Sequence, residues 1–129
     1  MSPDTRGPHV SIILPACTSA DGLPTAIESI LNQTYPDFEL IIVKDRSADS
    51  TREVLARWND PRVVIISNPG KCGVSRACNT GIGAARGELI GFISSGDEWD
   101  RKKLEEQVAA LSRLPGEYGV VYSDVWEIT

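Results

Sequence analysis

Residues 10–43 have the sequence VSIILPACTSADGLPTAIESILNQTYPDFELIIV, in which two short apolar runs flank a segment with helical spacing. The first run, Val10–Leu14, is rich in branched side chains and ends at Pro15, which predicts a buried strand. Apolar residues recur at helical spacing from Leu23 to Leu31, and Phe38–Val43 is the second run. The stretch therefore predicts a strand, a helix and a second strand, the repeating unit of parallel sheets.

The same alternation continues along the rest of the chain. The further predicted strands are Val63–Ile66, Glu88–Ile93 and Gly119–Tyr122. Three more helices are predicted: one with the apolar residues Val54, Leu55 and Trp58, one over Val74–Ala85, and one with Leu104, Val108 and Leu111. Strands that are apolar throughout are typical of a parallel sheet buried on both faces. The sequence therefore predicts the α/β class, with an open, doubly wound, mostly parallel sheet and helices on both faces.

Length, composition and charge limit the possible functions. The 129 residues and their average composition predict a single domain over 1–129, with residues 1–9 disordered. The net charge of −5 argues against binding a nucleic acid polymer, although a few local groups suffice for one nucleotide. No apolar run approaches the ~20 residues of a membrane span. The N-terminal sequence MSPDTRGPHV lacks the pattern of a secretory signal.

Cysteine and histidine are too few for most metal sites. Cys17, Cys72 and Cys78 fit no zinc-binding spacing, and we interpret them as reduced thiols of a cytoplasmic protein. A disulfide between Cys72 and Cys78 is the alternative. His9 is the only histidine and is expected to be solvated. A single histidine excludes both a His-based triad and a multi-His metal site within this chain.

Acidic residues follow the second and fourth predicted strands, at the sheet edge where doubly wound folds bind ligands. Asp45 is placed to accept hydrogen bonds from a ribose or a base, or else caps the next helix, as Ser47 or Asp49 could. Asp97 and Glu98 could hold a divalent cation against a diphosphate. Alternatively, they begin the following helix, where acids favour the positive end of the dipole.

Two other motifs predict less than they first suggest. The glycine-rich run Gly81–Gly87 lies at the end of a later helix, whereas a dinucleotide fingerprint would follow the first strand. Arg86 and Gly87 are predicted to be a basic helix end followed by a C′ glycine. Ser94 and Ser95 have no surrounding GxSxG sequence and are not expected to be nucleophiles.

Seven separated blocks of the chain resemble family 2 glycosyltransferases. In chain order they are Val10–Pro15, Ala26–Val43, Asn79–Ile82, Ala84–Glu88, Asp97–Trp99, Lys103–Leu104 and Val121–Asp124. The blocks cover nearly the whole chain in the family's order. The resemblance implies a GT-A fold, which is a Rossmann-like nucleotide-binding layer. It also implies transfer of a sugar from a nucleotide diphosphate sugar to an acceptor, with Mg²⁺ or Mn²⁺ as cofactor.

The resemblance assigns donor-binding roles to four residues. It places Pro15 beside the nucleotide base, Asp45 against the uracil or ribose, and Asn79 at the wall of the pocket. Asp97 matches the last acid of the run that contains the family's DxD element, so it is the expected metal ligand. The general base of inverting members belongs to the acceptor-binding half, which these 129 residues are not expected to contain. No catalytic residue is therefore named.

The chain departs from the family mainly at the expected pocket. Cys17-Thr18 stands where the family has Tyr-Asn, and Lys44-Asp45-Arg46-Ser47 stands where it has Asp-Asp-Gly-Ser. Cys78 stands in place of an arginine, although Arg76 lies two residues earlier. Ser94, Ser95 and Gly96 stand in place of aspartates. Only Asp97 and Glu98 then remain to hold a cation, and loss of the cation would slow the reaction by orders of magnitude. Fixed positive charges on Lys44, Arg46 or Lys71 are the alternative means of neutralising a diphosphate.

The sequence thus predicts the donor-binding domain of a glycosyltransferase for polysaccharide or glycoconjugate synthesis, including the cell wall. Its expected partner is a nucleotide diphosphate sugar, and specifically a UDP-sugar. The expected location is the cytoplasm, at the inner face of the membrane through parts outside these residues. The alternative is a degenerate or engineered glycosyltransferase-like scaffold that binds its ligand without turnover.

Overall fold

The computed structural model describes residues 7–16, 21–45, 53–70, 73–125 and 127. Its strands are β1 (Val10–Ala16), β2 (Phe38–Asp45), β3 (Val63–Asn68) and β4 (Leu89–Phe92), and its helices are α1 (Leu23–Leu31), α2 (Val74–Ala84) and α3 (Lys103–Arg113). Residues 53–55 are also helical, as the sequence predicts for Val54 and Leu55, but Trp58, which the prediction places in the same helix, lies beyond its end. The predicted alternation of strands and helices is therefore confirmed as far as β4 and α3.

The four strands form one parallel sheet in the order β3-β2-β1-β4. The chain moves outward from β1 to β2 and β3, and then crosses to the other side of β1 to form β4. The strand order therefore reverses between β1 and β4. All four strands end at the same edge, which we call the carboxyl edge, and begin at the opposite one, the amino edge. Ligands of doubly wound sheets bind at the carboxyl edge beside such a reversal.

Helices cover both faces of the sheet, which confirms the doubly wound arrangement. One face of β1 and β2, with Ile12 and Leu40, packs against α1 and α3. On the other face, Ile41 and Val43 pack against Ala77 of α2. Full burial of such aliphatic side chains contributes about 1.5–3 kcal/mol each, so these two layers supply most of the stabilisation that positions the carboxyl edge.

Pro15 lies inside β1, although the sequence predicts that the strand stops before it. In β1 the backbone N–H and C=O groups of the odd-numbered residues point toward β4. This follows from the Ile13 carbonyl oxygen, which accepts a hydrogen bond of 3.1 Å from the Ile93 N–H. The proline nitrogen, which has no hydrogen to donate, therefore points beyond the end of β4. The pairing with β2 continues through Pro15 and Ala16, so the missing donor breaks no ladder bond.

The predicted fifth strand, Gly119–Tyr122, is absent from the described part of the chain. Val120 is 78% exposed and Tyr122 is 88% exposed. A groove of about 540 Å³ separates the segment from β4, and Phe92 and Leu111 are among the residues that line the groove. A segment this short makes a strand only when a neighbouring strand satisfies its backbone groups, and here the segment does not reach the β4 edge.

His9 has a defined place at the amino edge, so the prediction that it is merely solvated is wrong. Its Nδ1 lies 2.6 Å from the Tyr35 hydroxyl, and its carbonyl oxygen accepts a hydrogen bond of 3.1 Å from Leu89. Burial, and secondarily the charge of Asp37, raises the pKa of Tyr35, which keeps this hydroxyl protonated. Of the predicted disordered segment 1–9, residues 1–6 lie outside the described residues.

The amino edge also corrects the interpretation of Arg86 and Gly87. Glu39 is only 3% exposed, and its carboxylate accepts bonds from the Ser11 hydroxyl (2.6 Å), the Arg86 backbone N–H (2.8 Å) and Arg86 Nε (3.2 Å). Gly87 donates its N–H to the Ser11 hydroxyl at 2.8 Å. A Cβ on Gly87 would lie 2.7 Å from the Ser11 nitrogen. Gly87 lacks a positive φ, so it is no C′ glycine but a point of close backbone approach.

No helix in the described part of the chain is long and apolar enough to cross a membrane.

Candidate functional site

The carboxyl edge between β1 and β4 is closed by a tight turn. Ile93 makes the last bond to β1, and residues 94–97 then reverse direction, with the Asp97 N–H donating to the Ser94 carbonyl oxygen at 3.0 Å. Gly96 has φ 92°, the conformation that a type II turn requires at its third residue. The turn leaves Asp97 exposed at the point where the strand order reverses.

This turn rests directly on the start of α1. The Gly96 N–H donates to the Gly22 carbonyl oxygen at 3.2 Å, and the Ser95 hydroxyl donates to the Asp21 carbonyl oxygen at 2.7 Å. Gly22 has φ 81°, and a Cβ there would lie 2.6 Å from the Gly96 Cα. Sequence reasoning did not find this contact. Its one signal is that each glycine lies in a polar segment directly after a predicted strand.

On the other side of β1, the ends of β2 and β3 are longer than predicted. The sequence places Lys44 and Asp45 in a loop, but both belong to β2 and pair with Ser67 and Asn68 of β3. Asp45 is therefore the last residue of β2 at the carboxyl edge. Its side chain and residues 46–52 lie outside the described residues. The predicted helix caps Ser47 and Asp49 thus remain predictions.

Asn79 lines a small pocket at the end of β3, together with Asn68 and Arg76. The pocket volume is about 420 Å³. Asn68 is 2% exposed, and its Oδ1 accepts a hydrogen bond of 2.7 Å from the Thr80 hydroxyl. This bond ties α2 to β3, and it was not predicted. Asn68 is the register partner of Asp45, so the pocket adjoins the end of β2.

The four predicted site residues therefore lie along one edge of the sheet in two groups. Pro15 and Asp97 belong to the β1–β4 side, and Asn79 lies beside the strand pair that ends in Asp45. The strands β2 and β4 are both neighbours of β1, which separates them by about 10 Å. A nucleoside diphosphate is long enough to span that separation. The arrangement suits an extended ligand laid across the strand ends.

The carboxylates at this edge suit a cation that also has a phosphate ligand. Asp97 and Glu98 are both exposed, whereas the Ser95 hydroxyl is engaged with Asp21. Within the described ranges, no group of three or more His, Cys, Asp or Glu side chains could hold a metal ion. Mg²⁺ is commonly held by one or two carboxylates plus substrate phosphates. The residues present therefore fit a metal brought in with a diphosphate and do not fit an all-protein site.

Two further side chains near the edge bear on the predicted chemistry. Lys44 is half-buried at the end of β2, while Arg46 and Lys71 lie outside the described residues. Cys78 on α2 is half-buried and unpaired, and burial raises the pKa of its thiol, so it is held in the unreactive protonated form. The predictions for Cys17 and Cys72 fall outside the described residues.

The chain is similar to known proteins over most of its length. It matches the family model described as Glycosyl transferase family 2 over residues 11–128. It is 33% identical over 117 residues to the UDP-Glc:alpha-D-GlcNAc-diphosphoundecaprenol beta-1,3-glucosyltransferase WfgD of Escherichia coli. This match covers 87% of the present chain and 46% of the relative. The chain is 30% identical over 122 residues to the amylovoran biosynthesis glycosyltransferase AmsB of Erwinia amylovora, which covers 89% of this chain and 40% of the relative.

A solved structure supports the same fold. The mannosyltransferase PcManGT from Pyrobaculum calidifontis, determined in complex with GDP-Man and Mn²⁺, matches with a TM-score of 0.73 and 26% identity. The match covers 84% of this chain and 33% of that one. This likeness confirms the predicted fold class. The chain spans less than half the length of each of these three proteins.

Proposed function

The chain belongs to glycosyltransferase family 2, and on that premise we propose that it binds the nucleotide diphosphate sugar donor for transfer of the sugar to an acceptor. The observation that carries the proposal is the carboxyl edge at the strand reversal. There, the turn with Asp97 is fastened in backbone contact with the start of α1. We infer that this backbone contact holds the turn in place as a support for a diphosphate at the strand reversal.

Each predicted site residue has a role in this proposal. Pro15 and Asp45 contact the nucleoside, and Asn79 limits the pocket beside β3. Asp97 holds Mg²⁺ or Mn²⁺ against the diphosphate, and the bound cation supplies neutralisation of the negative charge that develops on the leaving group. Lys44 adds a fixed positive charge at the same edge. The Mn²⁺ described with PcManGT supports a divalent cation in the family.

The rest of the reaction requires groups outside these residues. Abstraction of a proton from an acceptor hydroxyl requires a base within about 3 Å of it. The relatives are more than twice as long as the matched segment, and we propose that an acceptor-binding part supplies this base. Their names support a UDP-sugar donor and an acceptor in polysaccharide or lipid-linked glycan synthesis. We place the reaction in the cytoplasm, at the inner face of the membrane.

A second candidate function is a scaffold that binds a nucleotide sugar without turnover. The observation that favours it is the turn Ser94–Asp97, where two serines and a glycine replace the family's acids. The Ser95 hydroxyl donates its hydrogen to the Asp21 carbonyl oxygen, and it carries no negative charge to replace that of a carboxylate. Both candidates require nucleotide binding, and they differ in whether the donor is consumed.

Titration with UDP and diamagnetic Mg²⁺, followed by amide chemical shifts, tests the proposal, because bound Mn²⁺ would broaden the signals of the nearest amides; calorimetry measures UDP affinity with and without Mn²⁺. We expect the largest shifts at Asp45 and at residues 94–97, and Asp97→Asn should remove the Mn²⁺-dependent part of the affinity. The matched control is Asp37→Asn, an exposed acid at the amino edge. Unmoved amides at saturating UDP would contradict donor binding. Transfer or hydrolysis of a UDP-sugar by the full-length protein, with and without Mn²⁺, then separates the enzyme from the scaffold.

A further inference from the structure

The segment that carries Asp97 is fastened at both of its ends to residues that flank α1. At its start, Ser95 and Gly96 bond to the backbone just before the helix. At its other end, residues 100–104 bond to the two residues that follow the helix C-cap. The segment therefore runs alongside α1, and its position is set by the two ends of one helix.

Gln33 makes the central contact at the second anchor. Its side chain is nearly buried, with 6% exposed, and its Nε2 donates to the Asp100 carbonyl oxygen at 2.6 Å and to the Ser29 carbonyl oxygen at 3.1 Å. Its Oε1 accepts a bond of 3.0 Å from the Leu104 N–H. Both amide hydrogens and the amide oxygen are thus used. No other side chain of similar size reproduces two donors and one acceptor in this arrangement.

Thr34 strengthens the same anchor through its backbone. Its N–H donates to the Arg101 carbonyl oxygen at 2.9 Å. Its hydroxyl lies 2.9 Å from Glu105 Oε2 and 3.3 Å from the Arg101 carbonyl oxygen, but this side chain is exposed. A Thr34 side-chain variant therefore provides a matched control, because it keeps the backbone bond and removes only the two exposed contacts of the hydroxyl.

Between the two anchors the segment bridges a polar groove of about 660 Å³, whose lining includes Glu28, Asn32 and Trp99. Within the described residues, no hydrogen bond joins residues 97–99 to α1. The anchors, and the packing of Trp99 over Gly91 and beneath the Lys103 ammonium, therefore determine where Asp97 lies. A helix of nine residues is a stiff spacer of about 13 Å between them.

We propose that Gln33 is a positioning residue for Asp97. The inference rests on the proposed donor binding at the carboxyl edge. Without the Gln33 amide, the Leu104 N–H and the Asp100 carbonyl oxygen lose their partner, and the second anchor loosens. Asp97 then samples positions away from the diphosphate, and misplacement of a binding group by about 1 Å is enough to weaken its interaction severely.

The test compares Gln33→Met, Gln33→Glu and the control Thr34→Val in the full chain. Gln33→Met removes all three bonds, whereas Gln33→Glu keeps an acceptor for Leu104 and loses the donor to Asp100. Amide hydrogen exchange is measured at Asp97, Leu104 and Leu40, and UDP affinity is measured with and without Mn²⁺. We expect exchange at Asp97 and Leu104 to accelerate about tenfold or more in both Gln33 variants, while the β2 amide of Leu40 stays slow.

We also expect the Mn²⁺-dependent gain in UDP affinity to fall about tenfold in both Gln33 variants, with metal-free affinity and the Thr34→Val control unchanged. A Gln33 variant that keeps the full Mn²⁺-dependent gain would overturn the inference. Equal acceleration of exchange at Leu40 would also overturn it, because Gln33 would then act on the whole fold. Failure of the proposed function is seen separately, as a wild-type chain that binds no UDP.

Discussion

The Gly96 N–H donates a hydrogen bond of 3.2 Å to the Gly22 carbonyl oxygen, which also accepts the first bond of α1, from Ala26, at 3.1 Å. One backbone oxygen thus begins a helix and holds the turn that follows β4. The two glycines meet where the strand order of the sheet reverses. Both have positive φ, but only one of them has no room for a side chain.

Alanine at these two glycines should separate the cost of backbone strain from the cost of a clash. Gly96→Ala places its methyl in open space, so it should lower the free energy of unfolding by about 1–2 kcal/mol, the cost of a left-handed conformation. Gly22→Ala pays the same strain and also pushes a Cβ into the Gly96 backbone, which should cost about 1–3 kcal/mol more. Urea denaturation measures the free energy of unfolding of both variants. Equal losses would show that the turn at Gly96 shifts to accommodate the added Cβ at no cost in stability.

Gly87 should be intolerant of a methyl group for a different reason. Gly87→Ala would place Cβ against Ser11 and break a bond to its hydroxyl, so the free energy of unfolding should fall by about 1–3 kcal/mol. The control is Gly83→Ala in α2, where a Cβ meets nothing and the variant should gain about 0.5–1 kcal/mol. Thermal unfolding of the two variants should therefore shift in opposite directions. A Gly87→Ala variant as stable as the wild type would contradict the close contact with Ser11 as the reason for a glycine at this position.

Glu39 should stabilise the fold without affecting ligand binding. Glu39→Gln places an amide N–H₂ opposite Arg86 or Ser11, which themselves donate to this position, and should cost about 1–3 kcal/mol in the free energy of unfolding. Because Glu39 lies at the amino edge, UDP affinity should not change. Chemical denaturation and a UDP titration on the same sample check both statements. A loss of affinity in a folded variant would contradict the assignment of this cluster to structure.

Asp60 gives the stability a dependence on acid pH. Hydrogen bonds from the Arg62 side chain and backbone lower the pKa of Asp60 below its ordinary value of 3.8. A carboxyl with a depressed folded pKa contributes stability above its unfolded pKa, and this is lost as the pH falls through the folded value. Asp60→Asn should therefore cost about 0.2–1 kcal/mol near pH 6, and progressively less as the pH falls through the lowered folded pKa. Denaturation of both proteins across this range measures the difference, and an undiminished gap in acid would contradict the ion pair.

The elements that the sequence predicts well are those defined by local patterns. The helical spacing from Leu23 to Leu31 and the apolar run Phe38–Val43 each identify an element, because burial of one face is visible in a few neighbouring residues. Strand ends are less local. Asp45 belongs to β2 only because β3 offers Asn68 as its partner.

The rest of the fold depends on contacts between residues distant in sequence. Gly119–Tyr122 has the composition of a strand, but composition does not say whether an edge is within reach. The Gln33–Leu104 and Glu39–Arg86 bonds join residues 71 and 47 positions apart. A buried polar residue within an apolar segment, such as Glu39, is the one local sign that such a partner must exist.

An alanine variant of Asp45 should show whether this residue contacts the nucleoside or caps the next helix. If its carboxylate accepts hydrogen bonds from a ribose or base, Asp45→Ala should weaken UDP binding by about 1–3 kcal/mol, the cost of losing one partner of a charged hydrogen bond. If it caps the next helix, the variant should instead lose about 1 kcal/mol of stability and keep its affinity. Asp37→Ala makes the same charge change at the amino edge and should alter neither quantity. Calorimetric titration with UDP, together with thermal unfolding of the three proteins, decides between the two roles, because only the nucleoside contact lowers the affinity of a protein that remains fully folded.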